Sequence, residues 1–148
     1  MQVFIIGTPL ETARTLDSKR LRKQIIECGQ ILDALNGAKA WSNHPCVLQY
    51  KDHIEWLEHY HDCLMFYAKG CATGISAYFD QAQIASGYAE DCYKPQWHCD
   101  EYFTQMKKRL YTKDPEHYKQ WADLGKSQEN HYFVDGVWRK YVNGKRVE

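Results

Sequence analysis

Arg20, Lys23 and Glu27 stand three and then four residues apart in the stretch LDSKRLRKQIIECGQIL. On a helix, that spacing puts all three on one strip. A carboxylate kept among cations suits proton transfer beside a phosphate backbone that the cations hold. A carboxylate at the border of an apolar seam is partly desolvated, which raises its affinity for a proton and lets it act as acid or base. The plainer alternative is a solvated Lys23–Glu27 pair worth about 0.2–0.5 kcal/mol. The wheel by itself favours that plainer reading.

Other residues carry possible chemistry. In Asn43-His44-Pro45, His44 can contact a ligand or pass a proton. Equally, the turn can fix a helix start, with its side chains satisfying backbone groups. Lys113 and His117 of KDPEHY can face the same cleft, although Asp114-Pro115 as a helix start is the simpler account. The six cysteines contain no CxxC pair. Cys92, His98 and Cys99, or His59, His61 and Cys63, lack a recognised zinc spacing, so no metal is expected. Tyr132, Phe133, Trp138 and Tyr141 can stack on a flipped base or simply cover the core.

These side chains need elements to position them. Asp17 or Ser18 can cap a helix running to about Leu35, with the apolar seam Leu21, Ile25, Cys28, Leu32 and Leu35. Asn36-Gly37 stops it. Pro45 is placed for a helix start, and a long helix with a break near Lys51 follows, with Gly70 as its C-cap. Its stripe of Ile54, Leu57, His61, Leu64 and Ala68 makes His61 a satisfied buried histidine rather than a ligand. A further helix over 73–90 turns Ile75, Phe79, Ala82, Ala85 and Ala89 inward, and Gly87 weakens its end. Asp100 to Thr112 is helical, with Phe103, Met106 and Leu110 inward and Lys107 and Lys108 outward. Asp114 caps a short helix through Trp121. Val3 to Ile6 is a strand or an extended lead into the core, broken by Gly7, Thr8 and Pro9. Asp135-Gly136 and Asn143-Gly144 are turn signals in an alternating tail. The expected fold is mostly α: a compact, single-domain helical fold over 1–148 with a small C-terminal β-hairpin or extended aromatic tail.

Composition narrows the partners. Lys+Arg and Asp+Glu are both 19, so formal net charge is zero and nucleic acid cannot be held by bulk charge. Only a local basic patch can do it. No apolar run is long enough to span a membrane, and MQVFIIGTPLE lacks the charged start of a signal peptide. The expectation is an intracellular, cytoplasmic monomer with reduced thiols and no membrane association.

The pattern Leu16, Asp17, Arg20, Leu21, Lys23, Gln24, Glu27, Gln30, Ile31, Leu32, followed by Trp41, Asn43, His44 and Pro45, resembles the pyrimidine-dimer DNA glycosylase family. KDPEHY at Lys113 to Tyr118 is also similar to that group. The resemblance implies a mostly helical fold, DNA with a damaged or modified base as partner, and no cofactor. It also implies a mechanism: an N-terminal α-amine attacks C1′ of the damaged nucleotide, and the resulting imine permits β-elimination. The family's essential acid/base glutamate aligns with Glu27. α-Amines ordinarily titrate near ~8, so part of the population is neutral and nucleophilic at physiological pH. With Gln at position 2, the initiator methionine is expected to stay, making Met1 the nucleophile. Ile26 and Gln30 replace two arginines of the family. Arg20, Arg22 and Lys23, with Gln24, Asn43, Lys113 and His117, are then the expected nucleic-acid contacts, and His44 joins Met1 and Glu27 as a catalytic candidate. Two alternatives stand beside this reading. One is an enzyme on the same scaffold cleaving a modified nucleoside or nucleotide. The other is a non-catalytic nucleic-acid-binding module.

Overall fold

A computed structural model describes residues 1–147. Within them lie helices α1 (Pro9–Thr15), α2 (Ser18–Leu35), α3 (Pro45–Gln49), α4 (Ile54–Thr73), α5 (Ser76–Asp91) and α6 (Asp100–Lys113). A short 3-10 helix (Lys119–Leu124) and strands β1 (Asn130–Val134), β2 (Val137–Val142) and β3 (Lys145–Arg146) follow. The strands form an antiparallel sheet in the order β1-β2-β3. The fold is mostly α with a small C-terminal sheet, as expected. Asp135-Gly136 and Asn143-Gly144 all adopt positive φ, which makes both connections two-residue turns matched to strand twist.

Local sequence explains most boundaries. Asp17 caps α2, its carboxylate accepting from the Arg20 N–H at 3.3 Å. His44 caps α3 with Pro45 in the first turn. Helix α1 was not expected: Thr8-Pro9 starts a helix rather than only ending the lead-in. Thr8 Oγ1 accepts from Glu11 N at 3.1 Å, and proline at the helix start loses no hydrogen bond.

Several packing expectations are corrected. Gly70 does not end α4, which continues to Thr73 with Gly74 as a left-handed cap. Gly70 instead allows close approach of α5, because a Cβ there would lie 2.8 Å from the Phe79 ring. Ile75 and Phe79 are exposed rather than inward, while Ala82, Ala85 and Ala89 are buried, and α5 runs past Gly87 to Asp91. Lys107 and Lys108 are only partly exposed. Asp114 caps a turn rather than a helix, its Oδ1 accepting from His117 N at 3.1 Å; the 3-10 helix begins at Lys119. In α2 the buried line is Leu21, Gln24, Cys28, Ile31 and Ala34, so Ile25, Leu32 and Leu35 sit at its flank. The polar member of that line, Gln24, is central to the site.

The N-terminal segment runs extended through the core, with Val3 and Ile5 fully buried and, among the described residues, no strand paired with it. Its backbone groups therefore need side-chain partners. On one edge, Tyr132 donates to Met1 O at 2.7 Å and Tyr102 to Val3 O at 2.9 Å. On the other, Gln24 Oε1 accepts from Phe4 N at 2.6 Å and Gln24 Nε2 donates to Gln2 O at 2.8 Å. Tyr60 donates to the same Gln24 oxygen at 2.9 Å. The clamp fixes the first residues against α2.

Candidate active site

The clamp delivers Met1 to a cavity of about 90 Å³ whose walls include Glu27, Arg20 and Lys23 from α2, Arg109 and Lys113 from α6, and Asn130 from β1. Glu27 is placed by its helix and by one contact: its Oε2 accepts from the Gln2 backbone N–H at 3.3 Å. The carboxylate thus lies against the peptide unit that follows the α-amino residue. Arg109 is pinned from the far side, its Nε donating to Asn130 Oδ1 and its Nη1 to Ser127 O, both at 3.0 Å. Lys113 reaches over the Phe4 ring, with Nζ 5.9 Å from the centroid.

Four cationic side chains and the α-amino group therefore surround one carboxylate. Burial, then Arg109, Arg20 and Lys23, push Lys113 down to about 8, with Glu27 pulling the other way. Burial also lowers Arg109, and Arg20 adds to the effect against an opposing pull from Tyr132. Such an array can attract an anion and can move a proton beside an amine.

The structure gathers Met1, Glu27, Arg20, Lys23, Gln24 and Lys113 at this cavity and leaves four expected residues outside it. Gln24 is buried, and its amide is engaged with the backbone and Tyr60, so it positions the site rather than offering a free contact. Arg22 is exposed on a neighbouring face of α2, lining a shallow depression with Lys19, Lys23 and Ile26. Asn43 is exposed in the turn before α3. His117 faces the end of α1, with Nε2 3.2 Å from Thr15 O, and Tyr118 beside it bonds Asp17, the cap of α2. That turn braces the junction of α1 and α2.

His44, the fourth, has a structural role that the sequence left open. Its Nδ1 accepts from Cys46 N at 3.0 Å, which leaves Nε2 to carry the proton in the neutral ring. The ring meets Tyr132 edge-on at 5.7 Å, and burial followed by the nearby N-terminal charge lowers its pKa. His44 thus touches the residue that holds Met1 without lining the cavity itself. His61 is satisfied as expected, Nε2 lying 3.1 Å from Ile25 O.

Arg109 and Asn130 were missed. Arg109 precedes Lys113 by one helical turn, a signal that was available; Asn130 reaches the cavity only through the tertiary fold. Among the described residues, no cluster of three His, Cys, Asp or Glu side chains is arranged to hold a metal ion. Among them also, no helix is long and apolar enough to cross a membrane.

An extended chain start clamped beside a carboxylate and ringed by cations is an arrangement able to hold an anion. Residues 1–68 match the family model for pyrimidine dimer DNA glycosylase, and over this segment the chain resembles that family. The family suggests a DNA glycosylase role with DNA as partner. No curated protein and no solved structure matches the chain. The matched segment supplies Met1, Arg20, Lys23 and Glu27; Arg109, Lys113 and Asn130 lie beyond it.

Proposed function

We propose that this protein excises a damaged or modified base from DNA and cleaves the strand by β-elimination, through an imine on the Met1 α-amine. The observation that carries the reading is the convergence of Met1, Glu27 and the cations on one cavity. Arg20, Lys23 and Arg109 hold the phosphates that flank the opened nucleotide. The neutral amine attacks C1′ and the base departs. The Glu27 carboxylate stabilises positive charge developing on the sugar and then takes the C2′ proton, so that the C3′–O bond breaks. Water finally hydrolyses the imine and restores the amine. His44 acts through Tyr132 in placing Met1.

The test is borohydride trapping with untagged protein and duplex DNA carrying an abasic site or a cyclobutane pyrimidine dimer. The expected result is a covalent adduct mapped by mass spectrometry to residue 1, with dimer-dependent trapping identifying the lesion. Glu27→Gln should keep the fold and lower the trapping rate by at least about 100-fold, the usual scale for a lost acid/base group. Full trapping in that variant would remove Glu27 from the chemistry, whereas duplex binding with no adduct from either protein would move the reading to a binding module. Turnover of a free nucleoside or nucleotide, without trapping on either duplex, would favour a small-molecule enzyme on this scaffold.

A further inference from the structure

Three amines line the cavity, the Met1 α-amine and the side chains of Lys23 and Lys113, and the mechanism above uses only the first as a nucleophile. We propose that Lys113 is a second imine-forming amine of this site, able to capture the ring-opened aldehyde of an abasic deoxyribose when the α-amine is blocked. The inference rests on the imine reading of the cavity and adds a residue outside the segment that matches the family.

Geometry carries it. Lys113 is the last residue of α6, and its Nζ lies over the ring of Phe4, whose own backbone is fixed by Gln24. It shares the cavity wall with Met1 and Glu27. Among the described residues no carboxylate forms a salt bridge with Lys113. The charged groups facing it are Arg109 on its own helix, Arg20, Lys23 and Glu27 from α2, and the chain start. With Lys113 held at about 8, roughly a tenth is neutral at pH 7, against about 0.03% of an ordinary lysine at 10.5. The amine is available for attack without a dedicated base.

The step balances without a redox partner. The Nζ lone pair adds to C1′ of the aldehyde, and the carbinolamine loses one water as Glu27 relays a proton from solvent to the departing hydroxyl and is left as the carboxylate. The iminium makes the C2′ proton acidic. Its removal by the carboxylate breaks the C3′–O bond and releases the 3′ phosphate, and water returns the amine.

The experiment uses full-length protein acetylated enzymatically at the α-amino group and checked for native circular dichroism. Two probes are applied with borohydride: duplex DNA bearing one abasic site, and 2-deoxyribose 5-phosphate, which reaches the cavity without needing the duplex face. The expected adduct maps to Lys113 with at least one probe, its yield rising with pH and levelling above about 8. It disappears in acetylated Lys113→Arg, which keeps the charge but has no nucleophilic amine. Absence of labelling with both probes, or adducts scattered over exposed lysines such as Lys19 and Lys39, would overturn the inference. If unacetylated protein labels residue 1 while acetylated protein labels nothing, only this inference fails. If the unacetylated protein gives no adduct either, the imine function fails with it.

Discussion

Gln24→Met tests the clamp that places the chain start. Methionine has nearly the length and volume of glutamine, so core packing is largely kept while hydrogen bonding is removed. Three bonds go: from Phe4 N at 2.6 Å, to Gln2 O at 2.8 Å and from Tyr60 Oη at 2.9 Å. Each group left buried without a partner costs about 1–3 kcal/mol, so the simple sum is about 3–9 kcal/mol. The three share one site and can relax jointly, so they do not add fully. The lower part of that range, about 3–5 kcal/mol, is the expected loss. With a urea m-value of about 2 kcal/mol/M, the midpoint should fall by about 2 M at unchanged slope. Tryptophan fluorescence in urea reads this directly. A loss below about 1 kcal/mol would refute the clamp. Trapping by borohydride should slow as well, because Met1 is no longer held beside Glu27. A variant that loses the stability yet traps at the normal rate would show that Gln24 supports the core without positioning the amine.

His98 gives a pH prediction: burial, helped by His53 and Lys94, holds it down to about 3 from an ordinary 6.5. Between those values the unfolded chain binds the proton and the folded protein does not, so this stability is complete above about pH 6.5 and is lost as pH falls toward 3. The loss is on the order of 5 kcal/mol, and a thermal-melt series should show a shallower acid decline for His98→Gln than for wild type; parallel declines would refute the assignment. Arg109→Met should weaken duplex binding and reduce the slope of log K against log salt by about 1, read by fluorescence anisotropy across a salt series, since Asn130 and Ser127 aim the guanidinium at the cavity. An unchanged slope would remove Arg109 from the phosphate contacts.

The strip of Arg20, Lys23 and Glu27 was legible because helix period and an Asp17 cap are local properties. The hairpins were legible for the same reason, through Asp135-Gly136 and Asn143-Gly144. Gln24 as a core residue was not. A hydrophobic seam is sought through apolar side chains, so a glutamine buried to satisfy an unpaired extended segment falls outside the pattern. Its burial follows from a tertiary fact, the lack of a partner strand for residues 2–4 among the described residues. Gly70 misled for a related reason: glycine ends helices, but it also admits a neighbouring ring, and only the position of Phe79 decides between the two. The His44 choice resolved likewise through a distance, its Nδ1 to the Cys46 N–H. Lys113 was found through KDPEHY, whereas His117, four residues on, turned to the α1–α2 junction because the chain leaves the helix at Asp114.

Zero net charge leaves nucleic-acid binding to a local basic patch, and the fold gathers cations into one. Charges screened over about 8–10 Å at physiological salt act on what is near them, not on the molecule's total. Asp52, Glu55, Glu58 and Asp62 lie exposed at and along the start of α4, in a stretch from 52 to 62 without lysine or arginine. Arg20, Lys23, Arg109, Lys113 and the α-amino group instead meet at one cavity with Glu27 as the carboxylate among them. The neutral total thus hides local concentrations of each sign. On the proposed function, phosphate binding should be strongest at this cavity, and non-specific binding should be weak. Burial first, and then the same cations, keep the Lys113 amine deprotonatable near neutral pH. The cations that attract the substrate on the proposed function therefore add to what burial does in activating a nucleophile.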